Sequence, residues 1–148
     1  MSGSIEIRNE RVFPVDRETL FAAFADPAKL AKWWGPEGFD NSISAFDLKP
    51  GGQWLITMTA DTGAAYHNRW SFEEVIPGQT IRMTHHVPMH VFTLDMTFTD
   101  AGQCARLSWR MIFDRTDENQ EMQPFLHAAN EQNFDRLERL LQKGLGSD

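Results

Sequence analysis

Two polar residues interrupt apolar faces in the middle of the chain. Asn68 falls on the aromatic face of one alternating stretch, and His85 falls on the apolar face of the next. A buried polar group without a partner costs about 1–3 kcal/mol, so these side chains must bond each other, water or a ligand. A tight turn at Pro77-Gly78 sets them opposite each other, and a loop two residues longer sets them on a diagonal. The pattern leaves open a polar anchor in an apolar pocket, a mutually satisfied pair, or a bulge that turns one residue outward.

The five histidines raise the question of a metal site. His85, His86 and His90 lie close together in the sequence, whereas His67 and His127 are distant from them. Adjacent residues on a strand point to opposite faces, so His85 and His86 cannot readily share one ion. The chain has no cysteine cluster and no pair of histidines at i, i+4 spacing within a predicted helix. We therefore predict no metal site.

No pattern typical of nucleophilic catalysis is present. The sequence has no Ser/His/Asp or Cys/His order, and the single cysteine, Cys104, has no obvious base beside it. Glu73 and Glu74 are adjacent and would face opposite sides of a strand, which makes them a poor carboxylate pair. No catalytic residue is assigned, no cofactor is predicted, and whether the protein is an enzyme stays open.

The charge and hydropathy of the chain restrict its partners. The 148 residues carry a formal net charge of −7. Nucleic acids and anionic membranes are bound through basic patches, so neither is expected as a partner. No apolar run approaches the roughly 20 residues of a membrane span, and the N-terminus lacks the layout of a signal peptide. We expect a cytoplasmic protein with one domain over residues 1–148, and we leave a homodimer open.

The first third of the chain predicts a strand and two short helices. Residues 5–13 mix β-branched and charged side chains, as in a strand, and Asp16 is a suitable N-cap for a helix over residues 17–25. Asp26-Pro27 begins a second short helix, which Gly35-Pro36 ends. Of the tryptophan pair in this helix, Trp33 is expected in the core. For Trp34 two interpretations stay open: both tryptophans are structural, which is the favoured one, or Trp34 lines the mouth of a pocket.

Strand patterns follow, and the chain ends in a helix. Alternation predicts strands over residues 39–48 and 53–60, then around 66–72, 81–87, 92–98 and 107–113. In the last hairpin we oppose Thr99 to Cys104, which also opposes Asp95 to Ser108. A long amphipathic helix is predicted from Glu118 to about Gly144. Its apolar stripe consists of Met122, Phe125, Leu126, Ala129, Phe134, Leu137, Leu140 and Leu141.

These elements define an α+β fold. A curved antiparallel sheet of about seven strands, apolar on one face, is covered by the long C-terminal helix, with the two short helices closing one end. A sheet that curves around a helix readily leaves a cavity between them.

Several spaced motifs resemble those of a known superfamily. They are Phe24-Ala25-Asp26-Pro27, Trp33-Trp34-Gly35-Pro36, Gly38-Phe39 and Asp47-Leu48-Lys49-Pro50-Gly51-Gly52. Together they resemble the START-like, SRPBCC superfamily, and within it the branch named after the C-terminal domain of the heat-shock-protein-90 ATPase activator. The resemblance covers nearly the whole chain and implies the helix-grip fold, with a hydrophobic cavity beneath the long helix. Members often carry Gly-Trp early in that helix, where this chain has His127-Ala128-Ala129-Asn130.

The leading functional hypothesis is binding of a small apolar or aromatic ligand in this cavity, with Asn68 and His85 as polar contacts. The candidate ligand-binding residues are Trp34, Trp54, Met58, Tyr66, Asn68, Trp70, Met83, His85, Phe92, Met96, Trp109, Phe125 and Phe134. One alternative is an enzyme similar to the cyclases and aromatases of the superfamily, with His85 as general base. Another is a module that stimulates a chaperone ATPase, which would need an exposed docking surface.

Overall fold

The computed structural model describes residues 3–87 and 91–145. Within these residues it contains seven strands and three helices. In chain order they are β1 (Ser4–Phe13), α1 (Arg17–Ala25), α2 (Pro27–Trp33), β2 (Phe39–Phe46), β3 (Gln53–Ala60), β4 (Ala65–Ile76), β5 (Thr80–Val87), β6 (Phe92–Ala101), β7 (Cys104–Asp114) and α3 (Asp117–Leu145).

The two short helices begin where their capping residues predict. The Asp16 carboxylate accepts a hydrogen bond from the Thr19 backbone N–H at 2.8 Å, and hydrogen bonds from Thr19 hold the pKa of this carboxyl below its ordinary value. Asp26 accepts from the Ala28 backbone N–H at 2.9 Å, and Pro27 is the first residue of α2. No helix in the described ranges is long and apolar enough to cross a bilayer.

The strands form one antiparallel sheet in the order β1-β7-β6-β5-β4-β3-β2. Neighbours in sequence pair from β2 to β7, and β1 closes the order by pairing with β7, from Ser4 opposite Asp114 to Phe13 opposite Ala105. The α1–α2 pair spans the connection between the two edge strands, and α3 returns against β1 and α2. This is the helix-grip fold that the resemblance implies, and the predicted α+β class is confirmed.

The predicted register of the last hairpin is wrong by two residues. Ala101 pairs with Cys104 across a turn in which Gly102 has a φ of 68°, so Asp95 lies opposite Arg110 instead of Ser108. The side-chain period of a strand is two, so a shift of two residues preserves both faces and the alternation cannot detect it. The observed register brings the Arg110 guanidinium to 3.0 Å from the Asp95 carboxylate on the outer face.

Tryptophans occupy the centre of the apolar core. Trp34 contacts all four others: its ring is stacked on Trp109 with centroids 5.5 Å apart and lies edge-on to Trp33, Trp54 and Trp70 at 5.4, 4.9 and 5.8 Å. Such pairs add about 0.5–1.5 kcal/mol to the energy of burial. The core therefore joins α2 to β3, β4 and β7 through one side chain.

The turn before β3 depends on a glycine for steric reasons. The Gly52 backbone N–H donates to the Lys49 carbonyl at 2.8 Å, and its carbonyl accepts from the Phe72 N–H at 2.9 Å. A Cβ on Gly52 would overlap the carbonyl oxygen of Asp47. The glycine thus allows the turn to close against β4.

We expect Gly52→Ala to lower the free energy of unfolding by about 1–3 kcal/mol, because the turn must open to admit the methyl group. Gly51→Asn is the matched control: Gly51 has a φ of 84° with nothing within 4 Å of an added Cβ, and Asn tolerates this conformation. Urea unfolding measures both variants. A Gly52→Ala protein as stable as the wild type would contradict this account of the turn.

Candidate functional site

A cavity of about 420 Å³ lies between the concave face of the sheet and α3. Its volume is within the range of small-molecule pockets, about 300–1,000 Å³. Side chains of β3 to β7, the segment after α2 and the middle of α3 form its wall, and no Lys, Arg, Asp or Glu is among the described residues that line it. The cavity is largely apolar with a few polar side chains.

Eight of the thirteen candidate ligand-binding residues line this cavity. They are Trp34, Met58, Tyr66, Asn68, Trp70, His85, Phe92 and Trp109. Of the tryptophan pair, Trp33 is fully buried and donates its indole N–H to the Ala23 carbonyl at 3.0 Å, whereas Trp34 is part of the cavity wall.

The other five candidates lie outside the cavity lining. Trp54, Met83 and Met96 surround a gap of only about 10 Å³ nearer α1 and α2, where the core is solid. Phe134 is fully buried and packs edge-on against Phe13 and Trp109. Phe125 is 72% exposed, because the next residue, Leu126, is the one on the face of α3 that lines the cavity.

Asn68 and His85 bond to each other on the wall of the cavity. The His85 Nε2 and Asn68 Oδ1 atoms are 2.8 Å apart. His85 pairs directly with Trp70, because the β4–β5 ladder shifts between Phe72 and Glu74, so Asn68 is its diagonal neighbour. The imidazole is 6% exposed and stacks on Phe92 at 4.7 Å. Of the sequence alternatives, the diagonal arrangement is the one observed.

The neighbours of this pair determine which ring nitrogen carries a proton. Asn68 Nδ2 donates to the Tyr66 carbonyl at 3.1 Å, and a carbonyl can only accept. The amide oxygen of Asn68 therefore faces His85, and since that oxygen is also only an acceptor, Nε2 must carry the hydrogen. In this state His85 Nε2 is a donor already in use, so the pair is suited to holding a polar group rather than to removing a proton at Nε2.

His86 and His67 are separated from this pair. His86 points to the outer face, where its Nε2 is 2.7 Å from the Ser71 hydroxyl, and His67 Nδ1 is 2.9 Å from the Thr57 hydroxyl. His90 lies outside the described residues. Among the residues that are described, no three metal-ligating side chains come together.

One margin of α3 is held to β1 by polar side chains. Arg11 forms ion pairs with Glu131 at 2.8 Å and with Asp135 and Glu138 at 3.0 Å. Burial alone would lower the pKa of Arg11, but its hydrogen bonds to these carboxylates outweigh burial and raise it. The guanidinium also covers the Phe134 ring at 5.5 Å.

The other margin of α3 is held to the segment after α2. The Arg136 guanidinium donates to five backbone carbonyls at 2.9–3.3 Å: those of Lys32, Trp34, Gly35, Pro36 and Phe39. Burial lowers the pKa of Arg136, with a smaller opposing effect of the Glu37 charge. The Asn133 Oδ1 atom accepts from the Gly35 N–H at 2.7 Å. These bonds fix the segment that supplies Trp34 to the cavity wall.

The chain matches a family model over most of its length. A family model described as Activator of Hsp90 ATPase homolog 1-like protein matches residues 14–142. The chain belongs to this family. The resemblance found in its tryptophan and glycine motifs is thereby confirmed.

Solved structures of similar proteins support the same assignment. The AHSA1 protein from Silicibacter pomeroyi is 26% identical, with 93% of this chain and 98% of that chain covered and a TM-score of 0.77. A protein from Chromobacterium violaceum is also 26% identical, covering 91% and 95% of the two chains with a TM-score of 0.75. A protein from Arthrobacter aurescens, 16% identical over 93% and 86%, has the same fold with a TM-score of 0.86. No curated protein matches the chain.

In this member of the Hsp90-activator-like family, sequence reasoning missed three residues on α3. Asn130 and Asn133 line the cavity, and Arg136 fixes the segment beside it. The signal was present: Asn130, Asn133 and Leu137 follow Leu126 at helical spacing, so the two amides lie on the inward face. The predicted stripe contained only apolar residues, so it omitted polar residues that lie on the same face.

We expect Arg136→Met to lower the free energy of unfolding by about 2–3 kcal/mol, because methionine retains the length of the chain but leaves carbonyls without their charged donor. Arg139→Met is the control on the same helix. Arg139 is an exposed residue paired with Glu37 at 2.6 Å, and losing such a surface pair costs below about 1 kcal/mol. Urea unfolding compares the two, and equal effects would contradict a special role for Arg136.

Proposed function

We propose that the protein binds a small, largely apolar or aromatic molecule in the cavity beneath α3. The observation that carries this proposal is the cavity itself, about 420 Å³ in volume and lined by aromatic and aliphatic side chains with three amide side chains and one imidazole. Ligand sites typically combine such an apolar wall with a few polar groups that orient the ligand.

The hydrogen bond between His85 and Asn68 limits one alternative, in which His85 acts as a general base. Because Nε2 donates to Asn68, this nitrogen is not the one that would accept a proton. The family description also names chaperone activation. That activity would use an exterior docking surface, whereas the candidate site of this chain is an interior cavity.

Filling the cavity should weaken binding. We expect Ala129→Trp to raise the dissociation constant for the neutral fluorescent probe N-phenyl-1-naphthylamine by at least about tenfold, a loss of roughly 1.4 kcal/mol, because Ala129 lines the cavity. Ala128→Trp is the matched control, since the neighbouring Ala128 is exposed.

Fluorescence titration measures both dissociation constants, and circular dichroism checks that each variant is folded. If both tryptophan variants bind the probe as tightly as the wild type, the probe does not occupy this cavity. If the wild type does not bind the probe, the proposed function fails for a ligand of this class.

Removing the imidazole should weaken binding without unfolding the protein. We expect His85→Ala to raise the same dissociation constant about three- to tenfold, because the ligand loses a polar and stacking surface at the wall and the Asn68 oxygen loses its donor. His86→Ala is the matched control, since His86 lies on the outer face against Ser71. Equal binding in the wild type and both variants would remove His85 from the site.

A further inference from the structure

The amide of Asn130 provides a second polar group on the cavity wall, on the helix side. Asn130 is 5% exposed and lines the cavity. Its Nδ2 donates to the Asn9 Oδ1 atom at 3.0 Å and to the Met111 sulfur at 3.1 Å. Both hydrogens of this amide are therefore used inside the protein.

The orientation of this amide follows from the acceptors around Asn9. Asn9 Nδ2 is 3.2 Å from the His127 carbonyl oxygen and 2.7 Å from the Glu131 carboxylate, and neither group can donate. The nitrogen of Asn9 must lie on that side, so its oxygen faces Asn130. It follows that Asn130 presents its nitrogen to Asn9 and has its oxygen elsewhere.

The oxygen of Asn130 has no donor among the described residues. It is not one of the fully enclosed unpaired atoms, so it retains accessible surface, and because Asn130 lines the cavity that surface faces the interior. Asn133, one turn further on, differs. Its Oδ1 atom accepts from the Gly35 backbone N–H at 2.7 Å, and its Nδ2 atom donates to the Ala129 carbonyl at 3.2 Å. Both polar atoms of the Asn133 amide are therefore bonded to the backbone, whereas the Asn130 oxygen is an acceptor available to a ligand.

The charges near the cavity disfavour an ionic ligand. The described lining contains no Lys, Arg, Asp or Glu, the His85 Nε2–H is engaged by Asn68, and Arg136 is engaged by backbone carbonyls. A carboxylate or phosphate brought into this apolar space would lose its hydration without gaining a cation, which is strongly unfavourable. A neutral donor group, in contrast, would satisfy an acceptor that is otherwise unpaired.

We infer that the ligand of this site is a neutral aromatic or alicyclic molecule with a hydrogen-bond donor, a hydroxyl or an N–H, which it gives to the Asn130 oxygen. This inference rests on the proposed binding function and specifies its ligand class. Asn130 is then the residue that discriminates a donor-bearing ligand from an otherwise similar one without a donor.

The test compares two probes that differ in one donor. Isothermal titration calorimetry of the full chain at neutral pH, where the hydroxyl is protonated, gives the dissociation constants of 2-naphthol and 2-methoxynaphthalene. The wild type should bind 2-naphthol about three- to tenfold more tightly, as expected for one neutral hydrogen bond. In Asn130→Leu, which replaces the amide by an apolar group of similar size, the two constants should agree within about twofold.

A second variant covers the case in which Asn130→Leu fails to fold. Asn9→Leu with Asn130→Leu removes both partners of the amide pair together, which is less costly than leaving one of them unpaired. Asn68→Leu tests the amide on the opposite wall. Because Asn68 is itself part of the site, the affinity for both probes is expected to change, but the preference for 2-naphthol should remain.

Each remaining outcome is decisive. Equal binding of the two probes to the wild type overturns the inference and leaves the proposed function intact. Failure of the wild type to bind either probe overturns both. A preference for 2-naphthol that survives in the Asn130 variants, or that is lost in Asn68→Leu, assigns the donor to another acceptor and overturns the role of Asn130.

Discussion

The position of α3 is the constraint on which the rest of the structure depends. The helix rests on β1 at one margin and on the segment after α2 at the other, and at each margin an arginine, Arg11 or Arg136, bonds across the contact. Hydrogen bonds to charged groups are worth about 1.5–3 kcal/mol each, more than neutral ones. They act together with the buried Phe134, which packs edge-on against Phe13 and Trp109. The cavity lies between the helix and the concave face of the sheet.

Much of the fold could be predicted because its signals are local. Asp16 and Asp26 mark the starts of the short helices, and the change from helical to alternating period marks the start of the sheet. The register of the last hairpin could not be predicted in the same way. Alternation is unchanged by a shift of two residues, so the choice depends on how tightly the turn at Gly102 closes and on pairs such as Asp95 with Arg110.

The site was predictable in part, for a physical reason. A polar residue on an apolar strand face is visible in the sequence, and this identified Asn68 and His85, which do meet. Depth is not visible, because alternation gives the face of a side chain and not whether it touches solid core or open space. On α3, Phe125 and Leu126 are consecutive residues, yet Phe125 is exposed and Leu126 lies on the cavity wall. The Asn130 acceptor is not visible in the sequence, because the orientation of this amide depends on the hydrogen-bond partners of Asn9 and Asn130 in the folded protein.

The contact of Trp34 with every other tryptophan has an optical consequence. Its ring centroid lies 4.9–5.8 Å from those of the other four, so excitation energy absorbed by any indole of the protein can pass to the rest. Three of the rings, Trp34, Trp70 and Trp109, also form part of the cavity wall. The intrinsic emission of the protein therefore comes from one coupled group of chromophores in contact with the cavity. A molecule that enters the cavity changes the surroundings of this group. Occupancy of the cavity is therefore expected to shift the wavelength and the intensity of the tryptophan emission.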